Sequence, residues 1–191
     1  MMTTNTSPKT SFSMLAGVLL LLLGLTALAA CGYQNPNVLP DTRDLPPTRI
    51  YAPMWSNATS ETNLEVQAHG AVSDWLLQAG PIKLVAAAKE AQYLLEGRIK
   101  AVRYPGFSYD RSTTAQSLNA VMTAAVSLRQ RESGRIIWQD NNLRLEETYN
   151  LEASVSQTDA NQRQALNLLV DSLGEQVYLR VVRSLANLER Q

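Results

Sequence analysis

The chain reads as an α+β protein: a two-layer α/β sandwich in which one mixed, mainly antiparallel four-stranded sheet carries two helices on one face. Three observations lead there. Residues 118–131 alternate, with Leu118, Ala120, Met122, Ala124, Val126 and Leu128 on one side of a strand and Thr123, Ser127, Arg129 and Arg131 on the other. Residues 64–79 and 166–188 instead repeat apolar side chains every three to four positions, as helices that bury one stripe do. The elements also follow the order strand, helix, three strands, helix. One sheet with both helices on the same side buries those stripes with the fewest layers.

Ahead of this domain lies a different kind of segment. The apolar run from Leu15 to Ala30 closes on small residues and has the form of a secretory signal, with Lys9 the one positive charge before it. Leu28-Ala29-Ala30-Cys31 has the form of a bacterial lipobox: an apolar residue, two small residues that fit a peptidase cleft, and a thiol able to carry a diacylglycerol thioether. The competing reading is a transmembrane helix. The run is short for a hydrocarbon core of ~30 Å, and Gly24 and Thr26 weaken it further. The expectation is therefore a signal peptide over residues 1–30, cleaved before a lipidated Cys31, whose several acyl chains (palmitate among them) would hold the protein firmly at a membrane. In Gram-negative lipoproteins an aspartate after the acylated cysteine favours retention at the inner membrane. Gly32 stands there instead, which favours the outer membrane.

Residues 31–47 read as a lipid-anchored tether. Asn35-Pro36-Asn37, Pro40-Asp41 and Pro46-Pro47 keep it from both helix and strand. Residues 48–191 then form a single domain. Removing residues 1–30 leaves 161 of the 191 residues, enough to bury a substantial core. It also leaves 16 basic against 17 acidic side chains, which argues against a nucleic-acid partner. Cys31 is the only cysteine, so no disulfide can staple the fold.

Within the domain, residues 49–55 read as a strand that Pro53 must break or hold at an edge. A helix over residues 61–78 follows, with Thr62 and Glu65 spaced as a capping box, and Gly80-Pro81 ends it. Residues 82–85 suggest a short strand before a small-residue bend through residues 86–90. Residues 93–104 place Tyr93, Leu95, Gly97 and Ile99 on one side, and Leu94, Glu96, Arg98 and Lys100 on the other. A loop over residues 105–117 leads to the strand at 118–131, and Glu132-Ser133-Gly134 turns the chain back. In the return strand Ile136 and Trp138 are out of phase with Leu143 and Leu145, so a bulge is expected near Asp140-Asn141-Asn142. Ser156-Gln157-Thr158-Asp159 can cap the last helix. In it, Gly174 costs about 1 kcal/mol against alanine and is expected to serve close packing.

Little here can make or break bonds, and the chain is not expected to be an enzyme. His69 lies mid-helix one turn from Ser73, with no nucleophile elbow. No phosphate-binding glycine loop, zinc motif or CxxC occurs, and no cofactor or metal is expected. Glu146 and Glu147 are adjacent in a strand and so point to opposite faces. Binding is better served. Arg98 and Lys100 project from one side of a strand, and Arg129 and Arg131 from one side of its neighbour. If pairing brings the four together they form a cationic patch for a phosphate-bearing ligand, because arginine grips phosphate bidentately. A solvated outer sheet face is the alternative.

Several short motifs carry a resemblance. Cys31-Gly32-Tyr33 is similar to the opening of the LPS-assembly lipoprotein family, LptE. Ile50-Tyr51-Ala52-Pro53-Met54-Trp55-Ser56-Asn57-Ala58-Thr59 resembles that family's first strand, with its proline, aromatic and Asn-x-Thr. Ala91-Gln92-Tyr93-Leu94-Leu95-Glu96-Gly97-Arg98-Ile99 sits where the family has Ala-Asp and a glycine-bearing apolar strand, with Gln92 in place of the aspartate. Gly134-Arg135-Ile136-Ile137-Trp138 and Glu147-Thr148-Tyr149 resemble its hairpin return and the Glu-x-Tyr that follows. The resemblance implies a two-layer domain inside the β-barrel LptD at the outer membrane, facing the periplasm. There it acts as plug and assembly partner in lipopolysaccharide insertion, with lipopolysaccharide itself a possible ligand. The patch residues come from strand geometry and not from the family. Two other readings stay open: an accessory lipoprotein of a phospholipid-trafficking transporter, or an activator of a periplasmic cell-wall enzyme.

Overall fold

The computed structural model describes residues 46–78, 80–105 and 117–188. The expected signal peptide, Cys31, most of the tether and the core of the 105–117 loop lie outside the described residues. The element order is β1 (Thr48–Tyr51), β2 (Ser56–Asn57), α1 (Leu64–Leu77), β3 (Ile82–Leu84), a 3-10 turn (Ala88–Glu90), β4 (Tyr93–Arg103), β5 (Ser117–Gln130), β6 (Ile136–Asn150) and α2 (Val155–Leu188). Among these, no helix is long and apolar enough to cross a membrane.

The two-layer α+β class holds, but the sheet has six strands where four were expected. Its order is β3-β1-β4-β5-β6, with β2 also on β4. Both extra strands have local causes. The residues around Pro53 leave the ladder, so the strand expected over residues 49–55 ends at Tyr51 as β1, and β2 forms just beyond it, each parallel to β4. Ile82–Leu84 then pairs parallel to β1 and extends the edge. β4, β5 and β6 form the antiparallel meander. In β6 the register slips between the pairs Ala124–Leu143 and Val126–Asp140, which places a bulge at Asn141 and Asn142 as expected. Asp140 holds it by accepting the Asn142 amide at 2.9 Å.

Between sheet and helices lies one core. Ile50, Leu95, Ile99, Met122 and Leu128 meet Leu64, Val72, Leu76, Leu169, Leu173 and Val177, all essentially inaccessible. Burying each such aliphatic side chain stabilises the fold by about 1.5–3 kcal/mol relative to leaving it exposed. Two glycines permit close approach. Trp55, 3% exposed, lies against Gly97, where a Cβ would sit 2.2 Å from its ring. Gly174 lets α2 close on α1, where a Cβ would meet Trp75 at 2.6 Å and the Ala71 carbonyl oxygen at 2.8 Å.

The helix starts differ from the sequence reading. Asn63, not Thr62, precedes α1, in the left-handed region at φ 61° and with no side-chain cap. Glu65 does not reach back to a cap amide. Its carboxylate accepts the Asn57 amide at 3.1 Å, while the Asn57 Oδ1 takes the Thr59 hydroxyl and amide at 2.7 and 2.9 Å. That side-chain turn replaces the capping box. At α2, the Thr158 hydroxyl accepts the Glu152 amide at 2.9 Å, which binds the approach to the helix.

Candidate functional site

The sheet face turned away from the helices carries the cationic residues, and the ladder fixes their spacing. Arg98 of β4 stands opposite Ala125 of β5, while Leu94 stands opposite Arg129. The two arginines are thus offset by four positions, roughly 13 Å at 3.3 Å per residue. Glu96 lies between them and accepts the Arg129 guanidinium at 2.7 Å. Both side chains of that pair are more than two-fifths exposed, so water screens it to about 0–1 kcal/mol. An incoming anion can displace the carboxylate at little cost.

Lys100 reaches across β5 to the bulge of β6, donating to the Asn142 Oδ1 at 2.7 Å and the Asn141 carbonyl at 3.1 Å. Arg98 has no side-chain partner among the described residues. Beside it a shallow cavity of about 280 Å³ opens over Ala125 and Ser127, bordered by Ser56 and Arg98 on one side and Gln139 and Asn141 on the other. Small side chains on the central strand with longer polar ones on its neighbours make a trough along β5. Arg131 follows β5 at the end of the sheet, beyond the trough, where its Nε donates to the Ala91 carbonyl at 2.7 Å and its terminal nitrogen to Glu132 at 2.8 Å. The structure therefore sets Arg98 and Lys100 on one stretch of β4, Arg129 some way off beside Glu96, and Arg131 farther along at the sheet end.

Two groups of residues escape sequence reasoning. The alternation of β4 already sets Glu96 beside Arg98, but its pairing with Arg129 depends on the inter-strand register. Asn141 and Asn142 become partners of Lys100 only through the bulge. The second group, Arg49 and Lys89, comes from β1 and the 3-10 turn and joins Arg131 around a separate cavity at the sheet end. Only the parallel pairing of β1 with β4 puts Arg49 there.

The acid–base candidates have structural partners. The His69 Nε2 lies 3.1 Å from the Ala52 carbonyl, and the Ser73 hydroxyl donates to the His69 carbonyl at 2.7 Å. Ser73 therefore does not face the imidazole as a nucleophile would. Glu146 pairs with Arg144 on the exposed face, whereas Glu147 stands opposite the fully buried Ala120 on the other. Among the described residues, no three His, Cys, Asp or Glu side chains gather as metal ligands. Among the described residues the largest pKa displacement is that of Tyr104, just past the end of β4. Burial pushes its hydroxyl up to about 12, aided by Glu61, whose carboxylate accepts its proton at 2.9 Å, and opposed by a hydrogen bond with Gln162. Its ring meets Tyr149 edge-on at 6.3 Å between centroids. That cluster fastens the sheet to both helical approaches.

Comparison with known proteins adds family and fold. The family model for LptE, described as Lipopolysaccharide-assembly, matches residues 48–181. Among solved structures, a hypothetical protein from Chlamydia trachomatis is similar with a TM-score of 0.53 at 11% identity, covering 72% of this chain and 97% of its own. A protein from Xanthomonas campestris is similar with a TM-score of 0.53 at 9% identity, covering 78% of this chain and 92% of its own. A minor lipoprotein from Acinetobacter baumannii gives a TM-score of 0.48 at 13% identity, over 73% of this chain and 93% of its own. At such identities the first two show a shared fold. None of the curated proteins matches the chain.

Proposed function

Because this chain belongs to the lipopolysaccharide-assembly family LptE, we propose that it is the outer-membrane lipoprotein subunit of a lipopolysaccharide transport and assembly complex. In this reading it is the plug and assembly partner of an LptD-type β-barrel and binds lipopolysaccharide directly. The observation that carries the reading is the family match over residues 48–181, from β1 to the last turns of α2. The lipobox ending at Cys31 supports it, since a lipid on that thiol, followed by Gly32, would hold the domain at the outer membrane and facing the periplasm.

The exposed sheet face is the proposed ligand surface. Arg98 offers a guanidinium fork with no side-chain partner among the described residues, the geometry that grips a phosphate bidentately. Lys100 adds a point charge beside it, and Arg129 joins when a phosphate replaces the screened carboxylate of Glu96. Arg131, at the sheet end, extends positive charge beyond the face. Titration of the full chain in neutral detergent with lipopolysaccharide tests this. Binding should weaken as salt rises, and reversing Arg98→Glu together with Arg129→Glu should weaken it several-fold. Binding unchanged by that double substitution overturns the patch.

A further inference from the structure

At the end of the sheet where β1 and β4 begin and β5 finishes, a cavity of about 630 Å³ is bordered by Arg49, Lys89, Glu90, Gln92, Arg131 and Glu132. Its two arginines are held in the same way. The Arg49 Nε donates to the Glu90 carbonyl at 2.8 Å, and the Arg131 Nε to the Ala91 carbonyl at 2.7 Å. Those carbonyls are consecutive in the chain. The backbone under them is fixed as well: the Gln92 amide donates to the Arg49 carbonyl and the Arg131 amide to the Gln92 carbonyl, both at 2.9 Å. The Arg49 amide closes the frame on the Gln92 Oε1 at 2.8 Å.

Pinning a guanidinium through Nε orients its terminal nitrogens and reduces the side-chain freedom lost when an anion binds. Arg49 has no partner on those nitrogens among the described residues. Arg131 spends one on Glu132, a carboxylate 78% exposed and therefore weakly held. Lys89 has no side-chain partner among the described residues. Three cations thus face two carboxylates, Glu90 and Glu132, around one cavity.

Chain direction suggests what fills it. Residue 46 leads into β1 at this end, where the Thr48 amide donates to the Pro81 carbonyl at 2.9 Å. A lipid on Cys31 would lie 15 residues before Pro46, a reach of at most ~50 Å. A lipid on Cys31 would tether the domain through the strand that enters at this end.

We propose that Arg49, Lys89 and Arg131 form a binding site for a phosphate group, and that its occupant is the phosphodiester headgroup of an anionic lipid in the anchoring membrane. The anion site rests on the cavity and its pinned arginines. The lipid as source rests on the anchor proposed above.

The test places the full chain in nanodiscs of phosphatidylcholine, with or without phosphatidylglycerol, and follows acetylation of Lys89 by mass spectrometry with dissolved Nα-acetyllysine as reference. Phosphatidylglycerol should slow labelling of Lys89 several-fold relative to that reference, and Arg49→Gln with Arg131→Gln should abolish the protection. Millimolar inorganic phosphate in phosphatidylcholine discs should protect Lys89 in the same residue-dependent way, but more weakly. Protection by phosphate alone overturns the lipid assignment, and protection by neither overturns the site. Protection that survives the double substitution also overturns it. Neither lipopolysaccharide nor a barrel enters this readout, so its failure is distinct from failure of the assembly role.

Discussion

A Cβ on Gly97 would lie 2.2 Å from the Trp55 ring, and one on Gly174 would lie 2.6 Å from Trp75 and 2.8 Å from the Ala71 carbonyl oxygen. Neither neighbour can move freely, because Trp55 sits in the core and the carbonyl belongs to a packed helix. Gly97→Ala and Gly174→Ala should each destabilise the protein by about 1–3 kcal/mol, the range for overpacking. Gly70, also helical, has nothing within 4 Å of its Cβ position. There alanine should instead stabilise by about 0.5–1 kcal/mol, since it favours the helix and narrows the unfolded ensemble. Chemical denaturation of the three variants checks both signs. Tyr104 gives a second prediction. Burial holds its phenol protonated in the folded state, with a pKa raised from 10.0 to about 12, and the pKa values of Tyr149 and Tyr178 are raised by burial too. A raised pKa contributes stability that is fully present below pH 10 and is lost as pH rises toward 12. Melting temperature should therefore fall across that window, less steeply in Tyr104→Phe; parallel curves would contradict the assignment.

The long helix α2 carries its apolar stripe across the sheet, and the stripe was legible because an uninterrupted 3.6-residue period leaves little ambiguity. Leu173 is fully buried at its centre, whereas Leu168 is 46% exposed. Leu173→Ala should cost about 2–5 kcal/mol through the cavity it leaves, and Leu168→Ala about 0.5 kcal/mol or less; thermal melts distinguish them. The alternation of β4 and β5 and the phase slip in β6 were likewise visible, since each is written in the order of the side chains themselves. The helix starts were not. The Asn57 side chain satisfies Thr59 and Glu65 only because β2 brings it beside α1, a tertiary arrangement that outweighs the local Thr62–Glu65 signal. β2 is two residues long, too short to carry a period, whereas β3 falls within the short strand suggested at residues 82–85. The candidate site divides in the same way. Sequence shows that Arg98 and Lys100 share a face, but the register decides that Arg129 stands beside Glu96 and that Arg131 belongs with Arg49.

At the scale of the domain, two layers pack around one core, and among the described residues nothing covers the sheet face opposite the helices. Membership of the lipopolysaccharide-assembly family connects this body to the bacterial cell envelope. The sheet face and the sheet end then divide the charge between a proposed lipopolysaccharide surface and a proposed membrane contact. The central claim is that this domain works inside a larger membrane assembly. Its most direct test is purification of the full chain through a C-terminal tag from envelopes solubilised in mild detergent, with co-purifying membrane proteins identified by mass spectrometry. A large outer-membrane β-barrel of the LptD type, recovered in about equal amount, is the predicted result. Recovery of phospholipid-transporter components in its place, or of no barrel at all, would contradict the account.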